Sequence, residues 1–289
     1  MEAKTGTLYL CATPIGNLKD ITERVLETLG AVDLIAAEDT RNTLRLLNHY
    51  GIRKPLTSYH EHNKYEKARE LIDRHLLQGE DIALVTDAGT PVISDPGEVI
   101  ARECIEQGIR VTSLPGACAL ITALTMSGMD ARRFCFEGFL PPDKKERAHV
   151  LLRLAGEERT TIFYEAPHHL KGTLQELLDA AGDRKVTLCR ELTKKFEEAV
   201  PTTLQGAVDY YRENEPRGEY VLVVAGADPA ALSRKEEKKW EAMSIPEHMA
   251  LYEEQGLSRK DAMKQVAKDR GVSKRDIYAA LLPEDGSKE

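Results

Sequence analysis

The sequence predicts an α/β protein, two α/β domains followed by a small helical module. Three observations carry that expectation. Short apolar runs of strand length alternate with amphipathic stretches of helix length from Gly6 to Ala225. Several of those runs stop in clusters of Pro, Gly, Thr and Asp, as strands of an open parallel sheet do where they meet a ligand crevice. From about Ser233 the apolar runs cease and only capped, helix-period segments remain.

The elements follow in order. Gly6–Thr13 (GTLYLCAT) reads as a strand, and Asp20–Gly30 as a helix with Asp20 as its cap, Glu23 at the third position and Gly30 as its stop. Val32–Ala37 is a second strand, running into the charged string Glu38-Asp39-Thr40-Arg41. A helix over Thr43–His49, a short strand at Leu56–Tyr59 and an amphipathic helix over Glu66–Leu77 come next. Ile82–Val85 is an apolar strand that breaks at Asp87-Ala88-Gly89-Thr90-Pro91, and the chain re-enters a helix with Asp95 as cap, Pro96 at its first position and Gln107 near its end. A strand at Ile109–Ser113, the turn Leu114-Pro115-Gly116 and a helix of small residues over Ala117–Met126 complete the first unit, residues 1–128. The second unit, 129–232, holds strands at Phe134–Phe139, Thr161–Tyr164, Lys185–Arg190, Thr202–Gln205 and Glu219–Ala225, with helices over Lys144–Leu154 and His168–Ala181. The tail, 233–289, opens on the charge run 234–241 (RKEEKKWE). It then reads as helices over Glu247–Glu254, Arg259–Arg270 and Lys274–Leu282, with Ser258 and Ser273 at caps and Gly256 and Gly271 at stops.

Composition narrows the function classes. The chain has 289 residues, 42% hydrophobic and 30% charged, enough for two domains of ordinary size. No run approaches the roughly 18 apolar residues of a membrane span, and the N-terminus leads into a strand with no signal-type apolar region. The five cysteines are scattered, with no pair at metal or redox spacing, so a reduced, cytoplasmic protein is expected. A net charge of −8 argues against indiscriminate adhesion to nucleic acid. Locally the balance reverses: Gly256–Leu282 carries seven Lys or Arg against three Asp. That is either a solvated helical tail or a helix-turn-helix-like module touching RNA backbone.

Three strand-end loops stand out, Ala12–Asn17, Asp87–Pro91 and Leu114–Ala117, all expected on one edge of one sheet. No G-x-G-x-x-G and no G-x-x-x-x-G-K-[ST] occurs, so the usual dinucleotide and triphosphate cradles are absent. Small residues in such loops let a compact ligand lie against backbone, and Asp87 offers a carboxylate.

Eight segments in order are ATPIGNLKDIT at 12–22, AEDTR at 37–41, SYHEHN at 58–63, TDAGTPVISDPG at 86–97, SLPGA at 113–117, FEGFLP at 136–141, FYEAPHH at 163–169 and CRELTKKFEE at 189–198. Together they resemble the tetrapyrrole methylase superfamily. Within it they are similar to the branch that methylates the ribose 2′-oxygen of a cytidine in small-subunit (16S) ribosomal RNA. The resemblance implies two α/β domains of tetrapyrrole-methylase type (class III methyltransferase) and a homodimer, with S-adenosyl-L-methionine in the cleft between the domains. It implies cofactor contacts from Pro14, from Asp87, Ala88, Gly89 and Thr90 with Ile93 and Ser94 close behind, from Pro115, Cys118 and Ala119, and from Tyr164 and Ala166. Many relatives have an acidic residue after the loop glycine; here Thr90 stands there and the carboxylate comes earlier, at Asp87.

A sulfonium donor carries its own leaving group, so the protein's task is to align donor and acceptor. A ribose hydroxyl is a poor nucleophile and a nearby base helps it. Glu38, Asp39, Glu61, Glu165 and Glu191 each follow a predicted strand, and each reads equally as a base or as half of a structural ion pair. Asp39, Arg41 and Glu165 are the residues expected to act in catalysis, with Arg41 and Arg190 neutralising acids or gripping phosphate. His60-Glu61-His62 lacks a third ligand, so no metal is expected there. The loop Pro141–Arg147, with Lys144 and Lys145, reads either as an RNA contact or as a solvated turn.

Two other activities stay open. One is a methylase of a tetrapyrrole, disfavoured because 6% aromatic residues line an apolar macrocycle poorly. The other is a non-catalytic RNA-binding assembly factor, which predicts no tight cofactor binding. The negative charge further suggests recognition of a folded particle rather than free RNA.

Overall fold

Strand alternation decides how the first layer is built. In a computed structural model, which describes residues 5–230, 240 and 243–281, five parallel strands form one sheet. They are β1 (Thr7–Cys11), β2 (Leu34–Ala37), β3 (Leu56–Ser58), β4 (Ile82–Val85) and β5 (Arg110–Leu114), in the order β3-β2-β4-β1-β5. Side chains at alternate positions leave opposite faces. Leu8, Leu10, Ile82 and Leu84 therefore pack on α3 (Lys64–Arg74) and α4 (Gly97–Glu106), while Cys11, Ala83 and Val85 pack on α1 (Glu23–Ala31) and α2 (Thr40–His49). Both faces are covered, which is why these strands read as unbroken apolar runs.

The second sheet holds β6 (Phe134–Gly138), β7 (Thr160–Glu165), β8 (Lys185–Arg190), β9 (Glu198–Thr203) and β10 (Tyr220–Val224), ordered β6-β7-β10-β8-β9. It is mixed: β6 runs parallel to β7, and the remaining pairs are antiparallel. One face buries Phe163, Leu188 and Leu222 against α6 (Lys144–Gly156), α7 (Leu170–Ala181) and α8 (Leu204–Glu213). The other buries Ile162, Cys189, Val221 and Val223 under α5 (Ala119–Ser127), through Leu120, Ala123 and Leu124. The helix that follows the first sheet in sequence thus covers the second, and residues up to Ala225 form one compact unit.

Three sequence expectations are corrected. The strand expected over Thr202–Gln205 lies earlier: β9 runs from Glu198 to Thr203, whose hydroxyl accepts the Gly206 N–H at 3.1 Å and caps the unforeseen α8, which takes Leu204 and Gln205. Asp20 does not cap α1; it ends a short 3₁₀ turn, and Thr22 caps α1 by accepting from Val25 at 3.3 Å. Asp95 stands one residue outside the start of α4, where Pro96 is the cap residue, and its carboxylate accepts the Gly97 N–H at 2.7 Å.

The unit from Gly226 contains α9 (Ile245–Glu254), α10 (Arg259–Asp269) and α11 (Lys274–Leu281) around Met249, Ala262, Val266 and Ile277. Ser258 and Ser273 accept from Asp261 and Asp276, and Gly256 and Gly271 sit at positive φ past their helices, as expected. Of the charge run 234–241, only Trp240 lies among the described residues; its ring stacks on buried His248 at 4.0 Å. Leu282, expected to end the last helix, lies outside them too.

Candidate functional site

Two strand-end loops are tied together before any cavity forms. Thr13 and Gly89 exchange both backbone hydrogen bonds, at 2.9 and 3.1 Å, and the Thr13 hydroxyl donates to the Thr86 carbonyl at 3.0 Å. Gly116 lies so close to β1's end that a Cβ there would come within 2.6 Å of the Ala12 Cβ, so only glycine fits the turn after β5. Gly89 is left-handed at φ +88°, as are two non-glycine residues just after it, Val92 at +79° and Ser94 at +66°. Backbone strain of this kind is kept where the surroundings fix it and marks a functional loop.

Beside this junction lies a cleft of about 420 Å³, within the range that holds one small-molecule ligand. Its first-sheet wall is Ile15, Ala88, Gly89, Thr90 and Ile93, continued by Cys118 and Ala119 at the start of α5. The wall from the second sheet is Phe139, Tyr164–Pro167, Leu192, Lys194 and Glu219–Val221. Thr90 is held by donating to the Ala117 carbonyl at 3.0 Å. The Tyr164 ring meets Phe136 and Phe139 edge-on at 4.9 and 5.7 Å, and its oxygen accepts the Leu120 N–H at 3.2 Å. Burial pushes the Tyr164 phenol up to about 12, so it stays a neutral hydrogen-bonding group. Most of the lining is apolar, with Thr90, Glu165, Lys194 and Glu219 among its polar side chains, the arrangement common to small-molecule sites.

Eight of the residues expected to hold a cofactor line this cleft: Ala88, Gly89, Thr90, Ile93, Cys118, Ala119, Tyr164 and Ala166. Four do not. Pro14 and Asp87 line a neighbouring cavity of about 380 Å³, with Asn42, Arg45 and His49 of α2. Ser94 and Pro115 line neither cavity; a Cβ on Gly138 would come within 3.2 Å of the Ser94 hydroxyl. The two cavities share the loops 13–16 and 86–89: Ile15, Ala88 and Gly89 line the cleft, and Thr13, Pro14, Gly16, Thr86 and Asp87 line its neighbour.

The expected catalytic residues are dispersed. Glu165 borders the cleft but is buried, one oxygen accepting the Ala166 N–H at 2.8 Å and the other the Thr173 hydroxyl at 2.5 Å. Asp39 caps α2 by accepting the Arg41 N–H and pairs with the same arginine's guanidinium at 2.7 Å. That side-chain bond holds its carboxyl at about 2, which makes it a weak base. Asp87 behaves oppositely: burial, then the charge of Glu38, raises its pKa, although Asn42 and the Asp39 N–H donate to it. Glu191 and Lys194 pair at 3.1 Å, and Arg190 pairs with Glu198 at 2.8 Å. Glu61 pairs with Lys64 at 2.6 Å. Among the described residues no group of three His, Cys, Asp or Glu side chains is placed to hold a metal ion, and no helix is long and apolar enough to cross a membrane.

Sequence reasoning missed Ile15, Phe139, Pro167, Leu192, Lys194, Glu219, Tyr220 and Val221. The segment CRELTKKFEE already held Leu192 and Lys194, but only the antiparallel pairing of Tyr220 with Arg190 and Val221 with Cys189 sets β10's first residues beside them.

Comparison with known proteins places this geometry. Residues 7–208 match the family model described as Tetrapyrrole (Corrin/Porphyrin) Methylases. The chain is 50% identical over 273 residues to a "Ribosomal RNA small subunit methyltransferase I" from Halalkalibacterium halodurans, covering 94% of this chain and 93% of that one. It is 46% identical to the protein of the same name from Bacillus subtilis, covering 96% and 95%. Among solved structures, a diphthine synthase superposes with TM-score 0.59 at 14% identity, covering 76% of this chain and 90% of that one, a likeness of fold.

Proposed function

Because this chain belongs to the tetrapyrrole methylase family, in the branch of the small-subunit ribosomal RNA methyltransferases, we propose that it methylates the ribose 2′-oxygen of a cytidine in 16S ribosomal RNA with S-adenosyl-L-methionine. The observation that carries the reading is the cleft built from the β4 loop, the start of α5 and the end of β7. Its small residues fit the cofactor: a Cβ on Gly89 would already stand 3.3 Å from Ile15 and 3.6 Å from the Ala117 carbonyl. Bound there, the cofactor supplies an activated methyl group with its own leaving group. Ala88, Gly89, Thr90, Ile93, Cys118, Ala119, Tyr164 and Ala166 hold it, while Pro14, Asp87, Ser94 and Pro115 shape the loops from behind.

The chain's own residues then orient the acceptor. The neighbouring cavity, with Asn42, Arg45 and His49, receives the RNA, and Arg41, 85% exposed at its side chain, meets a phosphate. Asp87, whose basicity burial and Glu38 raise, is better suited than Asp39 to accept the hydroxyl proton. Glu165 positions the start of α7 instead of exchanging protons. The segments before and after residue 128, within the unit that ends at Ala225, act as the two walls. The basic helices α10 and α11, joined by a turn through Gly271, add a second RNA contact in the manner of a helix-turn-helix. The active form is a cytoplasmic homodimer.

A methylated 2′-oxygen blocks alkaline cleavage of its own phosphodiester, which provides the test. Small ribosomal subunits lacking the modification, incubated with methyl-labelled cofactor, are expected to yield alkali-resistant label at a cytidine. Naked 16S RNA is expected to accept more slowly, since a chain of net charge −8 needs shape as well as charge to hold RNA. Label on a base, or none, contradicts the proposal.

A further inference from the structure

The loop between β8 and β9 is built far more firmly than its exposure requires. Glu191 and Thr193 are both left-handed, at φ +51° and +65°, a conformation that non-glycine residues keep only when their surroundings impose it. Lys194 N–H donates to the Glu191 carbonyl at 3.0 Å, Glu197 N–H to the Lys194 carbonyl at 3.2 Å, and Thr193 N–H to the Glu197 carboxylate at 2.6 Å. The Lys194 ammonium reaches both Glu191 and Glu219, at 3.1 and 2.8 Å, and Leu192 is buried beneath α5. Yet this fixed loop holds a phenylalanine out: Phe196 is 66% exposed.

Its position and its neighbours say what the ring is for. Leu192 and Lys194 line the cofactor cleft, so Phe196 stands two residues from that wall. Lys194 also presses on Gly16, where a Cβ would come within 2.5 Å of its Cγ, and Gly16 lines the neighbouring cavity. The loop that carries the ring therefore runs from the cleft's wall, at Leu192 and Lys194, past Gly16 of the neighbouring cavity. The acids of the segment are engaged: Glu191 and Glu219 with Lys194, Glu197 with the Thr193 N–H, and Glu198 with Arg190. Lys195 instead carries its ammonium over the Phe196 ring, 5.5 Å from its centre. A rigid, solvent-facing aromatic with a cation on it is the pairing that single-stranded nucleic acid uses, the ring taking a base and the ammonium a phosphate.

Resting on the RNA-methyltransferase reading, we propose that Phe196 and Lys195 form a stacking platform for a nucleobase next to the target nucleotide. Single-stranded segments of folded RNA offer unstacked bases beside their ribose hydroxyls, and a fixed aromatic takes up one such base.

Steady-state methyl transfer to unmethylated small ribosomal subunits tests this. Phe196→Ala is expected to raise KM for the subunit by roughly tenfold, the loss of about one base–aromatic stack, with kcat and the affinity for S-adenosyl-L-methionine at parent values. Phe196→Trp is expected to keep the parent KM, and Phe196→Leu to behave like the alanine variant, because leucine offers apolar area without a π face. A parent KM in Phe196→Ala, or full rescue by leucine, overturns the platform alone. A parent chain that transfers nothing to the subunit overturns the function proposed above, and this inference with it.

Discussion

Replacing Gly89 by valine is expected to weaken S-adenosyl-L-methionine binding by about two orders of magnitude while leaving the chain folded. Gly89 sits at φ +88°, where a β-branched residue is strained by about 1–3 kcal/mol. Its backbone is meanwhile fixed on both sides by the pair of hydrogen bonds with Thr13. The first added carbon would lie 3.3 Å from Ile15 Cγ2, itself part of the cleft's lining, and the two valine methyls add bulk to that wall. A steric and conformational penalty of about 3 kcal/mol on the bound state corresponds to an affinity loss on the order of a hundredfold. Gly89→Ala, which adds only the first carbon, is expected to lose about tenfold. Calorimetric titration reads both, and thermal melting of each variant separates a damaged cleft from a damaged fold. Parent-like affinity in the valine variant would move the cofactor away from the β4 loop.

Glu165→Ala is expected to lower stability by about 3 kcal/mol, the cost of stripping hydrogen-bond partners from buried groups around a carboxylate. Glu165 is 5% exposed, and removing it leaves both the Ala166 N–H and the Thr173 hydroxyl without their acceptor at the start of α7. For a chain of this size that is a fall in melting temperature of roughly 10 °C. Glu165→Gln keeps an acceptor oxygen and is expected to lose less than half as much. A kcat lowered by orders of magnitude in a Glu165→Gln variant that still folds would instead make Glu165 the catalytic base.

Sequence and structure agree where local chemistry decides. The first sheet's loops were legible because Pro14, Gly89 and Pro91 follow the apolar runs of β1 and β4, and Pro115 and Gly116 end the edge strand β5. The tail's helix ends were legible for a similar reason: Ser258, Ser273, Gly256 and Gly271 act through their own neighbouring backbone. The β9–α8 region resisted. β9 is an edge strand, which tolerates Pro201 and polar residues, so its EAVPTT lacks a strand pattern. Gly206 hides the helix that follows, although a Cβ there would approach the Thr202 hydroxyl to 2.6 Å, so close packing requires it.

The cleft divides along the same line. Of its first-sheet wall, Ala88, Gly89, Thr90 and Ile93 could be named from the family resemblance, because they stand close together in one loop, whereas Ile15, on another loop, was missed. Leu192, Tyr220 and Val221 could not, because antiparallel pairing across the second sheet brings them together. The contrast between Asp39 and Asp87 was equally invisible. Arg41, two residues away, holds Asp39 at about 2, whereas burial and the approach of Glu38, 49 positions back, raise Asp87. Both are acids in strand-end loops, and only their tertiary surroundings distinguish them.

The most direct test of the account is a structure of the full chain with S-adenosylhomocysteine, the product of the transfer. Its density is expected in the cleft of Ala88–Thr90, Cys118, Ala119 and Tyr164–Ala166, with the sulfur toward the cavity lined by Asp87 and Asn42. Density elsewhere, such as the cavity lined by Arg190 and Tyr210 beside β9, would contradict it.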